Sequence, residues 1–156
     1  MKGLPVLVVV LLTVGVVVPV RAVPLPDGGV TAAEVVSILQ KKGYKAEITK
    51  DKYGDPLIHS ASGTLNFDVY FYACHDTPRC ASIQFYAGFQ KPGIAEGRIS
   101  EWNRTTRFGK AYLDKDGDPR VEMDMDVQHG ATSEAIANDL DRWVAVLAAF
   151  TKHIGW

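Results

Sequence analysis

Two cysteines, an acidic turn and a run of alternating carboxylates are the residues here whose types and spacing invite chemistry. Cys74 and Cys80 are the only cysteines. As a dithiol they could cycle redox equivalents, and with His75 they could contribute ligands to a metal. As an even pair in an exported chain they form a disulfide. Their spacing favours the disulfide, because no C-x-x-C motif is present and one His beside two Cys is a short ligand set. Asp114-Lys115-Asp116-Gly117-Asp118-Pro119 offers the oxygen donors of a calcium loop. Its glycine stands fourth, whereas an EF-hand loop needs glycine sixth and a bidentate Glu twelfth. Asp, Gly and Pro close together are turn chemistry, and the same pattern stands earlier at Asp51-Lys52-Tyr53-Gly54-Asp55-Pro56.

Glu122, Asp124 and Asp126 alternate with Val121, Met123, Met125 and Val127. Paired carboxylates could do acid–base work. The plainer reading is the polar side of a hairpin in which Leu113 faces Val121, Tyr112 faces Glu122, and Lys110 faces Asp124 as a cross-strand ion pair. His59, His75, His129 and His153 are scattered and form no catalytic string. No catalytic residue, metal ligand or cofactor is assigned. Asn103-Arg104-Thr105 matches a glycosylation triplet, a weak signal at three residues. It reads better as the end of a helix whose Trp102 packs on the sheet, with Arg104 and Arg107 as candidate partner contacts.

The elements that must position these residues follow an N-terminal leader. Lys2, an apolar run over 4–18 and a small residue at Ala22 have the form of an export signal, and the run is shorter than a membrane-spanning helix needs. An uncleaved anchor is the rival reading. Cleavage after Ala22 would remove Lys2 and Arg21, taking the formal charge from −1 to −3. That balance, with no basic cluster along the sequence, argues against nucleic acid as a partner. The expected organisation is a signal peptide over 1–22, a flexible segment over 23–29 and one domain over 30–156. The protein is expected to be periplasmic or secreted, with no membrane span after cleavage.

Thr31-Ala32-Ala33-Glu34 is a capping box opening a helix, with Val30 and Val35 as its staple and Gly43 as its stop. Short strands follow over 44–50 and 57–60. The clearest pair spans 65–74 and 80–89, where apolar and polar residues alternate with period two. If Cys74 faces Cys80, Phe71 meets Ile83, Val69 meets Phe85 and Phe67 meets Ala87. One register then satisfies a whole apolar face, and a slip by one residue would invert it. The same register gathers Asp68, Tyr70, Tyr72, Gln84 and Tyr86 on the other face. A helix over 94–107, strands over 109–114 and 120–127, and a helix from Thr132 or Ser133 to His153 complete the chain. The last helix carries a stripe of Ile136, Leu140, Trp143, Val144, Leu147 and Phe150. The fold class is α+β, an antiparallel sheet packed with three helices in the order α-β-β-β-β-α-β-β-α.

Three segments, CASIQFYAGF, EWNRTTRFGKAYLDKDGDPRVEMD and DLDRWVAVLAAFTKHIGW, resemble the YbjN family of bacterial sensory transduction regulators in order and spacing. The resemblance implies a fold like that of type III secretion chaperones, which bind other proteins and often pair as dimers. It brings no catalytic residues. An export signal and a disulfide depart from what a cytoplasmic regulator would carry.

The expected function is that of an exported, non-catalytic module binding a protein or peptide, with Tyr70, Tyr72, Gln84 and Tyr86 as the candidate face. Those tyrosines could instead be cross-strand pairs covered by a loop. Two alternatives belong to other classes. One is an envelope hydrolase using carboxylates such as Glu122 and Asp124. The other is a structural homodimer joined through the helix that carries Trp102.

Overall fold

The computed structural model describes residues 24–26, 28–74 and 77–156. The expected signal peptide over 1–22 and His75 lie outside the described residues. Three helices, α1 (Ala32–Lys41), α2 (Glu96–Thr105) and α3 (Ser133–Ile154), accompany six strands. These are β1 (Lys45–Lys50), β2 (Pro56–Ser62), β3 (Leu65–Tyr72), β4 (Ser82–Gly88), β5 (Lys110–Leu113) and β6 (Pro119–Asp126). The sheet is antiparallel throughout in the order β1-β2-β3-β4-β6-β5. The element order is the one the periodicities imply.

Local chemistry sets the boundaries. Thr31 accepts from the Glu34 amide, and the Glu34 carboxylate accepts from the Thr31 amide, which closes the capping box on α1. Gly43, at φ +86°, donates to the Gln40 carbonyl and ends that helix. Along β3 and β4, Val69 faces Phe85 and Phe71 faces Ile83, as the alternation requires. Those four side chains are at most 1% exposed, and Phe67 and Ala87 are buried with them. Trp143 of α3 stacks on Phe85 at 5.9 Å between ring centroids and meets Phe67 edge-on at 6.2 Å. Burying each such side chain contributes about 1.5–3 kcal/mol, so this cluster sets which face of the sheet the helices cover. Cys74 and Cys80 are joined as a disulfide beyond the ends of β3 and β4, with Cα atoms 4.0 Å apart.

Two expectations need correction. In the β5–β6 hairpin the register is shifted by two residues: Leu113 faces Pro119, Ala111 faces Val121, and Lys110 faces Glu122. The turn is shorter than its composition suggests. The Asp114 amide donates to the Asp118 carbonyl, Asp114 Oδ1 accepts the Asp116 and Asp118 amides, and Gly117 takes φ +78°. The acidic turn at Asp51–Asp55 repeats this scheme, with Gly54 at φ +93°. Both Asp-rich strings are therefore one hairpin design used twice.

The second correction concerns the segment expected to be flexible over 23–29. Its described residues are docked: Leu25 donates to Ala131, Gly28 to Gln128, and Val30 exchanges backbone bonds with Cys80. Arg79 clamps the same corner, donating twice to the Gly29 carbonyl and pairing with Glu34 at 3.0 Å. Gly29 is required here, because a Cβ would overlap the Cys80 carbonyl and the backbone sits at φ +103°. Gly29→Ala should therefore destabilise the domain by at least about 2 kcal/mol. Its urea midpoint, compared with that of the parent protein, checks this.

Candidate functional site: the open face of the sheet

Because period two sends alternate side chains to opposite faces, the register that buries Val69 and Phe71 turns their neighbours outward. Leu57, Tyr70, Gln84 and Asp124 form one row across β2, β3, β4 and β6. The next row runs His59, Asp68, Tyr86, Glu122 and Lys110, ending on β5. Tyr112 lies beyond it opposite Arg120, whose side chain occupies the space left by Gly88. The expected tyrosines are thus brought together, with Tyr70 and Tyr86 packed edge-to-face at 5.6 Å.

The face is concave. The β1–β2 turn supplies Lys50, Asp51, Lys52 and Tyr53 as one wall of a hollow of about 640 Å³. Leu57, Tyr70, Tyr72, Gln84, Tyr86, Tyr112 and Glu122 line the rest. Leu57 is 7% exposed although it faces away from the helices, so it acts as an apolar floor. Tyr72 donates to Gln84 Oε1 at 3.1 Å, and Gln84 donates to Asp124 Oδ1 at 2.8 Å, which fixes the amide's orientation. Lys110 Nζ lies 2.7 Å from Glu122 Oε1. A recessed carboxylate is thereby matched by an exposed ammonium.

These surroundings keep the phenols protonated. Burial, followed by the charge of Asp68, raises the Tyr70 pKa; Tyr72 is raised by burial and then by Asp124. For Tyr86, burial outweighs the opposing charge of Arg120. Burial and the Glu122 carboxylate push Tyr112 from 10.0 to about 12. The hollow therefore offers aromatic faces with O–H donors at their tips, a combination suited to holding a ligand in place.

A chain with this architecture matches, over residues 31–156, the YbjN family, described as "Putative bacterial sensory transduction regulator". The chain belongs to the YbjN family. Among curated proteins no match is found. The family description is that of a regulator and names no reaction.

The other sequence-derived candidates of this YbjN domain lie elsewhere. Trp102 is 3% exposed, donates from Nε1 to the Gly109 carbonyl at 2.8 Å and packs on Phe150. As a partner contact it is corrected: its ring belongs to the seam between α2 and α3. Asn103 is likewise occupied, bonding the Ala111 backbone in both directions. Arg104 and Arg107 are exposed at the end of α2. The carboxylates expected to work as a pair have different settings, since Glu122 is recessed against Lys110 while Asp124 is exposed. Among the described residues, the carboxyls of Glu34 and Asp114 have displaced pKa values, and both are displaced downward. For Asp114 the cause is first its bond from the Asp118 amide. For Glu34, burial is outweighed by the bonds from Thr31 and Arg79. A general acid requires the opposite displacement. Among the described residues, no group of three or more His, Cys, Asp or Glu is placed to hold a metal. No helix among them is long and apolar enough to cross a membrane.

Sequence reasoning missed Leu57, Tyr53 and Tyr112 as members of the site. Tyr112 was legible in principle, since it alternates with Ala111 and Leu113. Leu57 was not, because an apolar residue on the outer parity of a strand looks like a core residue. A folded phenol with a raised pKa contributes stability that is fully present below its unfolded value near 10 and is lost as pH rises toward 12. Between those values the parent protein should therefore lose stability more steeply than Tyr112→Phe. Urea midpoints measured against pH, with absorbance at 295 nm following phenol ionisation, check this.

Proposed function

We propose that this YbjN protein is an exported, non-catalytic module that captures a protein or peptide segment in the tyrosine-lined hollow of its open sheet face. The observation that carries this reading is the clustering of Tyr53, Tyr70, Tyr72, Tyr86 and Tyr112 around Leu57 in one concavity. Tyrosine supplies a large amphipathic contact at low cost in conformational entropy, and such residues dominate binding energy at interfaces. Family membership as a regulator supports a binding role. Export is supported by the disulfide, a bond that persists in oxidising compartments, and by the signal-like leader. Against a hydrolase stand the neutralising Lys110 beside Glu122 and the downward displacement of the two shifted carboxyls.

The test uses peptides selected from a random display library against the immobilised domain with its disulfide intact. Replacing Tyr70 and Tyr86 together by Ser should weaken the selected peptides at least about tenfold, each hot-spot tyrosine being worth on the order of 2 kcal/mol. The near-UV circular dichroism from the Trp143 cluster should stay unchanged. Undiminished capture by the double variant would remove the open face as the site.

A further inference from the structure

The turn between α2 and β5 holds Phe108 at φ +72°. It is the one bulky residue in the left-handed region among the described residues. Its neighbours impose that conformation. Trp102 Nε1 fixes the Gly109 carbonyl, Asn103 fixes the Ala111 backbone, and Gly109 is wedged where a Cβ would overlap the Val146 side chain. Glycine or asparagine would adopt this backbone with less strain. The phenyl ring, moreover, is 51% exposed, so it neither relaxes the turn nor fills the core.

Two guanidiniums lie on that ring. Arg107, its chain neighbour, is 4.8 Å from the ring centroid, and Arg142 of α3 is 4.5 Å away. The sequence holds no basic cluster; folding makes this one. A guanidinium stacked on an aromatic ring loses its freedom to rotate and keeps its N–H fork at the edge, ready for two parallel bonds to a carboxylate. Among the described residues Arg107 donates no hydrogen bond and has no carboxylate within ion-pair distance, and the same holds for Arg104. Arg142 gives Nη1 to Asp139 and retains its other N–H groups. Beside the stack lies a shallow hollow of about 470 Å³, lined by Asn103, Phe108, Gly109 and Lys110. The patch thus joins an exposed apolar ring to preorganised cations. Asp139, paired with Arg142, interrupts its charge, which disfavours a continuous anionic surface such as a membrane or a phosphate backbone.

We propose that the Arg107–Phe108–Arg142 stack is a second docking site, which takes an acidic segment of a partner protein. Aspartate or glutamate side chains of that segment engage the stacked guanidiniums, and its apolar side chains cover Phe108. The site is distinct from the tyrosine-lined face, the two being bordered in common by Lys110.

The full chain, with its disulfide intact, is titrated by fluorescence anisotropy with a labelled, C-terminally amidated peptide of alternating glutamate and leucine. Its glutamine counterpart and phosphatidylglycerol vesicles are run beside it. The glutamate peptide should bind, and the glutamine peptide should bind at least about tenfold more weakly, as loss of charge-assisted bonds implies. Arg107→Lys keeps the charge but removes the stacked fork, and should also weaken binding several-fold. Phe108→Gly should abolish binding while leaving the melting temperature unchanged or higher, because glycine suits the positive φ. The Tyr70→Ser, Tyr86→Ser double variant should bind the glutamate peptide normally, which separates this site from the open face. Equal affinity for the two peptides, or affinity unchanged in Arg107→Lys and Phe108→Gly, would overturn the proposal. So would vesicle binding with no binding of the glutamate peptide.

Discussion

Val69 faces Phe85 and Phe71 faces Ile83 across the two central strands, and from that register every outward side chain of the sheet takes its place. Trp143 closes on those residues from α3, so the inner face holds the helices. The tyrosines are consequently left outside as a set. A slip of one residue in β3 against β4 would turn Tyr70 and Tyr72 toward α3 and expose Phe67, Val69 and Phe71, an exchange that no local adjustment could offset. Core and binding surface are in this sense two results of one pairing.

The corner at Cys80 holds this arrangement to the rest of the chain. The disulfide ties the ends of β3 and β4, and the Cys80 backbone carries Val30 in an antiparallel bridge. Arg79 reaches the carboxylate that caps α1. Sheet, N-terminal segment and first helix therefore share one small cluster of bonds. By the chain-entropy account the disulfide contributes about 2 kcal/mol. Its larger effect is geometric, because Arg79 and Cys80 must both be in place for the segment before α1 to dock. A rigid covered face beside an open face suits a module whose binding surface is set before its ligand arrives.

Strong local signals carried most of the architecture in readable form. The capping box at Thr31 and Glu34, the alternation through β3 and β4, and the cysteine pair each follow from neighbours in sequence or from a two-residue period. The β5–β6 register was misjudged by two residues because it depends on how Asp114 closes its turn, a matter of side-chain-to-backbone bonds that composition leaves open. The shift kept every residue on its expected face, so Tyr112 and Glu122 still point outward. Docking of the segment before Val30 was illegible, since Pro24 to Gly29 reads as a loop unless its partners at Cys80, Gln128 and Ala131 are known. Trp102 reads as an inward residue packing on the sheet, and it is buried, but its ring meets Phe150 of α3 and the Gly109 carbonyl seven residues on captures its N–H. In the candidate site Tyr70, Tyr72 and Tyr86 were legible as a group, whereas Tyr53 and Tyr112 were missed. The concavity was not legible, because it depends on the β1–β2 turn standing beside β3.

Aromatic NMR of tyrosine-ring-labelled protein, followed during titration with a selected peptide, tests the central claim most directly, since it reads the open face itself. The account predicts that the rings of Tyr70, Tyr72, Tyr86 and Tyr112 shift together at a common affinity while the Trp143 and Phe85 signals of the core hold still. Shifts confined to the helical surface, with those four rings unmoved at saturation, would contradict it.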